Sequence, residues 1–285
     1  MTDARPFKIQ IFVAEGMPDG LRIVEKSNWI GQGIICPRGR WPHVKGRAEF
    51  DKSGVYILRG RDGASDRPTV YVGEAETVRS RLNSHHANKD FWSQAIVFTR
   101  KADPLNKAEV QFLEARLVEI AKTHKRCSLD NGNTPNRPGL SDADEAEIEG
   151  YLDEMLKLLP LLGVHAFEAA GVKQRGQRTF TFSGRGWEAS GYEANDGFVV
   201  KAGSLASRDT RPSCNPGRRR LRETLVEEGV LEVEPDGLRF TVDFQFSAPS
   251  AAATIVAGGN TNGRTAWKDS SGITLKEHQE REAAG

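Results

Sequence analysis

Two short runs of β-branched and aromatic residues, Gly54–Leu58 (GVYIL) and Thr69–Gly73 (TVYVG), bracket a loop rich in Gly, Asp, Ser and Pro. This pairing constrains the fold more than any other stretch, because it reads as two strands joined across a turn-forming segment. Successive strand side chains alternate between faces. Val55, Ile57, Val70 and Val72 therefore fall on one face of a hairpin, and Tyr56, Leu58 and Tyr71 on the other, which brings the two tyrosines together. By itself that pattern fits strand aromatics packed beneath a helix as well as it fits a site.

The residues that follow supply the helix. From about Thr77 to Ala87 the pattern is helical, and a third apolar strand, AIVFT, comes after Phe91 and Trp92. At about 100° per residue, Val78 and Leu82 set the apolar direction, His85 falls beneath Val78, Arg81 flanks the same stripe and Arg79 points to solvent. An arginine four residues before a histidine suits a phosphate, with planar donors beside a titratable ring. It equally suits a surface arginine and a packed histidine.

Further on, ADPLNKAEVQFLEARLVEIAK carries Val110, Leu113, Leu117 and Ile120 at helical spacing, with Asn106 and Glu109 placed to cap its start. Glu114 lies about 40° from Val110, inside the apolar stripe, whereas Glu109 and Glu119 point elsewhere. A carboxylate facing a core has three outcomes: it pairs with a cation such as Arg81, it is protonated, or it binds a metal.

At this point several ordered motifs resemble the GIY-YIG nuclease superfamily. They are GVY, YVG, Arg81 ten residues after Tyr71, His85 four further on, and Glu114 in an LEARL helix. The match spans about Gly54 to Asn133, with Val in place of Ile in both named motifs. The resemblance implies that Tyr56 and Tyr71 are active-site tyrosines, Arg81 contacts phosphate, His85 is the helix histidine and Glu114 ligates the metal. It also implies Gly54 and Gly73 as supporting glycines, with Asn131 as a buttress, although Asn133 fits almost as well and Asn131-Gly132 is also a plain turn. The implied fold is a three-stranded antiparallel sheet flanked by helices. The implied chemistry is hydrolysis of DNA phosphodiester bonds with one Mg²⁺ or Mn²⁺. A free tyrosine titrates near pH ~10, so Tyr56 would need the metal, Tyr71 or His85 to lower its pKa before it could deprotonate water.

Around this module, residues 7–36 alternate apolar and polar and read as a β-rich element within 1–50. The module with its trailing helix covers 51–165. CSLDNGNTPNRPGL reads as turn throughout, and an acidic helix capped by Ser141 and Asp144 presents Ile148, Leu152, Met155 and Leu159. The acidic run 141–154 is expected as a solvated face that repels DNA. A linker is expected at 166–177, an α+β unit at 178–278 and a frayed tail at 279–285. Within the second unit the expected strands are TFTFS, FVVKAG, VLEVE, LRFTVDFQF and a closing pair around AWKDSSGITL, with helices at Asn215-Pro216 and SAPSAAATIVAG. The layout resembles bacterial GIY-YIG proteins that carry a C-terminal domain of unknown function, and its G-R-x-x-W-K-x-x-x-G segment resembles small domains attached to restriction and modification enzymes.

Arg218, Arg219, Arg220 and Arg222 concentrate positive charge at a helix start. They read either as phosphate contacts or as a solvated face paired with Glu223, Glu227 and Glu228. The net charge of +1 announces no nucleic-acid partner in bulk, so any footprint is local. Cys36, Cys127 and Cys214 form no C-x-x-C pair, which supports neither a disulfide framework nor a zinc site. The N-terminus is unlike a signal peptide, no apolar run is long enough to span a bilayer, and the cytoplasm is the expected compartment. Phosphate-loop, dinucleotide, zinc-protease and serine-hydrolase motifs are missing. The expectation is a metal-dependent DNA endonuclease with a substrate-selecting C-terminal domain. The alternative is a non-catalytic or partner-dependent nucleic-acid-binding protein in repair or restriction.

Overall fold

The structure is a computed structural model that describes residues 6–61, 68–171, 177–194 and 197–283. The chain is mixed α/β and forms two compact units. One runs up to Phe167, and the other runs from Glu168 onward and takes in His124–Arg126. Most of the loop between the two tyrosine strands and the centre of the expected linker lie outside the described residues. No helix among the described residues is long and apolar enough to cross a membrane.

The first unit opens with a meander of β1 (Ile9–Val13), β2 (Arg22–Lys26) and β3 (Gly31–Pro37), then a short helix α1 (Trp41–Val44). The hairpin of β4 (Gly54–Arg61) and β5 (Pro68–Ala75) sets Tyr56 opposite Gly73 and Leu58 opposite Tyr71. After it come α2 (Val78–Asn88), β6 (Trp92–Arg100), α3 (Lys107–His124), β7 (Ser128–Leu129) and α4 (Asp142–Leu158). The seven strands form one sheet in the order β1-β2-β3-β6-β4-β5-β7, with only β5 and β7 parallel.

The expected three-stranded sheet is thus the centre of a wider one. Residues 9–37 join it through β3, whose Gly31–Pro37 pairs with Arg100–Gln94. The cause lies in β6. Ala95–Thr99 is buried on both faces, so each of its edges needs a strand partner. CSLDNGNTPNRPGL likewise holds the two-residue strand β7 rather than turns alone.

The two faces of the hairpin separate as alternation predicts. Val55, Ile57, Val70 and Val72 pack with Val110, Leu113 and Leu117 of α3 and Ile148, Leu152 and Met155 of α4. Tyr56 and Leu58 pack with Val78 and Leu82 of α2, together with Trp41, Phe50 and Trp92. α3 begins with a reciprocal cap: the Asn106 N–H donates to Glu109 Oε2 at 2.7 Å and the Glu109 N–H to Asn106 Oδ1 at 3.0 Å. Glu109 is also buried against Arg100 at 2.9 Å, so it does not simply point outward. The acidic face of α4 is not free solvated charge. Glu147 pairs with Arg100, Glu149 with Arg116 and Glu145 with Arg137.

The second unit contains β8 (Phe180–Gly184), β9 (Trp187–Ala194), β10 (Gly197–Val200), β11 (Leu205–Ala206), α5 (Pro216–Glu227), β12 (Leu231–Glu234), β13 (Gly237–Phe240), β14 (Phe244–Phe246), α6 (Pro249–Ala257), α7 (Gly263–Ala266) and α8 (Leu275–Ala283). Its strands form a sheet β14-β10-β9-β8 and a sheet β11-β13-β12. Phe180, Phe198, Phe240, Trp267 and the alanines of α6 fill its core. Three expectations change here. LRFTVDFQF is divided between β13 and β14, which lie in different sheets. AWKDSSGITL makes only isolated bridges, because Trp267 turns into the core and Asp269 Oδ1 accepts the N–H groups of Ser271 and Ile273 in a turn. The expected frayed tail is helical to Ala283, capped by Thr274 with Glu277 and anchored by buried His278 on Asp269 at 2.7 Å.

Candidate active site

Tyr56, Tyr71 and His85 converge on the α2 side of the hairpin. Tyr56 is fully buried, and its Oη lies 2.8 Å from His85 Nε2. The rings of Tyr56 and Tyr71 are 6.3 Å apart, those of Tyr56 and His85 5.5 Å, and those of Tyr71 and His85 5.0 Å. Gly73 makes room for this cluster. A Cβ there would lie 2.5 Å from Tyr56 Cζ, so the glycine directly across the ladder is what lets the phenol lie down on β5. Gly54 has a structural reason of its own, since a Cβ would lie 2.5 Å from the Phe98 carbonyl oxygen.

Burial drives Tyr56 far above the ordinary phenol range, and the Tyr71 phenol and Glu114 add to it while Arg81 opposes. Free Tyr56 is therefore a weaker acid than an ordinary phenol. Burial also pushes His85 down to about 4, helped by Lys89 and Arg81. A neutral imidazole facing a protonated phenol leaves one proton between Tyr56 Oη and His85 Nε2; with the imidazole proton on Nδ1, Tyr56 Oη–H donates and His85 Nε2 accepts. Lys89, on the far side, lies 4.6 Å from the Tyr71 ring centre and pairs with Asp130.

Arg81 is exposed one turn earlier on α2 and makes no hydrogen bond or ion pair among the described residues. It lines an open cleft of about 350 Å³ with Glu74, Thr77, Ser80 and Lys107. Arg79, expected in solvent, is instead held by Asp51 at 2.8 Å and by the Arg47 carbonyl.

Glu114 stands on α3, which covers the other face of the sheet, and lies near Glu74 at the end of β5. Of the three outcomes open to it, an ion pair is not the one adopted. No cation lies within ion-pair distance among the described residues, while burial and then the Glu74 carboxylate raise Glu114 to about 7 against the pull of Arg81 and Lys107. Glu74 itself pairs with Lys107 at 2.8 Å. Glu74 and Lys107 were not visible as site residues in the sequence, because only the fold brings the start of α3 beside the end of β5.

Asn131 holds the same edge. Its Oδ1 accepts the Val72 N–H at 2.9 Å and its Nδ2 donates to the Val72 carbonyl at 2.8 Å, which separates it from Asn133, for which no such bond is formed. Along β5 the outward-facing backbone groups of Val70 and Val72 are thus taken in turn by Asp130 and Asn131.

No group of three or more His, Cys, Asp or Glu that could hold a metal is present among the described residues. The donor set still suits a hard dication, which binds through one or two carboxylates and keeps water and phosphate as its other ligands. Glu114 is a carboxylate without an ion-pair partner among the described residues, so its lone pairs are available.

In the second unit, a sequence-family match covers residues 180–279. This stretch is a DUF4357 domain, a domain of unknown function. No curated protein and no solved structure matches the chain. Within the DUF4357 domain the four arginines divide. Arg222 is buried, with its Nη1 donating to the Asp209 carbonyl at 3.0 Å, so it is a core residue and not a surface contact. Its phase explains this, since it lies three residues before buried Leu225. Arg219 and Arg220 are exposed and Arg218 half-buried on the first turns of α5. Phe182 and Phe198 pack against Trp267, and Trp187 packs against Phe182, so these aromatics are structural.

Proposed function

We propose that the first unit is a GIY-YIG endonuclease that hydrolyses DNA phosphodiester bonds with a divalent metal, Mg²⁺ or Mn²⁺, and that the DUF4357 domain helps to select the substrate. The observation that carries this reading is the convergence of Tyr56, Tyr71 and His85 over Gly73, with Arg81 and Glu114 within electrostatic reach of Tyr56. A buried phenol bonded to an imidazole, beside an exposed unpaired arginine and a carboxyl that burial raises to about 7, is suited to phosphate chemistry, and the carboxyl is costly as mere packing.

Arg81 binds a non-bridging phosphate oxygen and stabilises the charge that builds on phosphorus during attack. Tyr56 and His85 form a relay: Tyr56 Oη accepts a proton from the attacking water as its own proton passes to His85 Nε2. Tyr71 and Lys89 shield that bond from bulk solvent on one side. Glu114 would hold the divalent metal, which when bound would supply Lewis-acid polarisation of the phosphate.

Purified full-length protein incubated with single-stranded, duplex and branched DNA, in Mg²⁺, Mn²⁺ or EDTA, tests the proposal beside Glu114→Ala and Tyr56→Phe. Cleavage is expected only with metal, with each substitution lowering the rate at least about 100-fold. Cleavage that survives both EDTA and Glu114→Ala overturns the metal assignment. Retention of DNA by the wild type without cleavage of any substrate supports the non-catalytic alternative instead.

A further inference from the structure

The two edges of the seven-stranded sheet are treated differently. The β5 side is closed by β7 and Asn131. At the other edge, β1 has no partner on its outer side among the described residues, and IQIFV contains none of the proline, charge or bulge that ordinarily blunts an edge. The Ser27 N–H donates to the Lys8 carbonyl and the Ala14 N–H to the Leu21 carbonyl, which fixes the phase of pairing with β2. Gln10 and Phe12 therefore turn their backbone groups toward β2, and Ile9, Ile11 and Val13 turn theirs outward. Large exposed apolar residues gather at the same place: Phe7, Ile11, Phe12, Met17 and Ile30.

We propose that β1 pairs antiparallel with β1 of a second copy of this chain, on a twofold axis at Ile11. In that register Ile11 faces its own copy and Ile9 faces Val13, so the three residues with outward backbone groups meet one another. Gln10 faces Phe12, and Lys8 of each strand comes beside the turn that carries Asp19 in the other, Glu15 of that turn being held by Arg40. A parallel arrangement would set the two lysine ends side by side, so charge selects the antiparallel one. A five-residue edge is small against the roughly 1,200 Å² that a stable interface needs. Phe7, Phe12, Met17 and Ile30 enlarge it with the apolar surface that such an interface buries.

Sedimentation equilibrium of the full chain over a dilution series is the test. Ile11→Pro removes one outward N–H without touching the β1–β2 ladder, and Ile11→Lys places charge at the axis. A dimer whose dissociation constant weakens at least about tenfold in both variants, with an unchanged circular dichroism spectrum, is the expected result. Ile11→Cys reports the register. Paired residues about 5.5 Å apart at Cα allow a disulfide between copies, and Gln10→Cys should cross-link far less. A chain that stays monomeric at every concentration overturns the proposal. So does a dimer indifferent to both variants, or cross-linking no better at residue 11 than at residue 10.

Discussion

His85 and Glu114 titrate in opposite senses across one pH range, and this makes the site's protonation separable by mutation. His85 falls from 6.5 to about 4 on folding, so unfolding takes up a proton between those values and stability declines as pH is lowered through them. Glu114 rises from 4.5 to about 7, so unfolding releases a proton there and stability declines as pH is raised through that window. In metal-free protein the two slopes oppose each other between pH 4.5 and 6.5. Urea midpoints for Glu114→Gln should therefore fall more steeply than wild type as pH drops from 6.5, and those for His85→Asn should fall as pH rises toward 7. Identical pH profiles for all three proteins would contradict both assignments. Part of this was legible in the sequence: Glu114 stood out because a carboxylate broke an apolar stripe. Its near neighbour Glu74 gave no such signal, because a strand-end glutamate is unremarkable until α3 is laid across the sheet.

At the scale of elements, the edge of β5 depends on side chains where a longer β7 would otherwise run. Asn131→Ala leaves the Val72 N–H and carbonyl without their partners, and is expected to cost about 1–3 kcal/mol in urea unfolding, with faster hydrogen exchange at the Val72 amide. Unchanged exchange at Val72 would show that the edge does not need Asn131. The hairpin faces, the cap of α3 and the stripe of α4 were all readable from period and capping residues, since each is set by local geometry. The second unit was read less well. β9 escaped notice because its inner face carries small residues: a Cβ on Gly191 would lie 2.5 Å from the Phe198 ring, so the partner strand supplies the bulk and the strand itself shows little hydrophobic pattern. LRFTVDFQF looks like one strand by composition. It is cut between Phe240 and Phe244, and its two halves enter different sheets, a division that only the packing of two sheets around Trp267 determines.

Across the whole molecule, each unit has its own core, and the proposed division of labour is between chemistry in the first and substrate selection in the DUF4357 domain. Changing Arg218 and Arg219 to Glu, with Arg222 left in place, should weaken DNA affinity and reduce the magnitude of its salt slope by roughly one unit per lost phosphate contact. Binding unchanged in strength and in salt dependence would remove these residues from the interface. The order of strands in the first unit carries a different consequence, one of synthesis. β3 is made early, yet its inner neighbour is β6, some sixty residues downstream, and α4, which covers one face, comes later still. A nascent chain that has not reached Trp92 holds Ile34 and Ile35 with β2 on one side and no strand on the other, and a fragment that begins after Pro37 uncovers the whole edge of β6. The tyrosine hairpin cannot be trimmed to the span of its motifs, because the chain's first forty residues close the sheet on which those motifs rest.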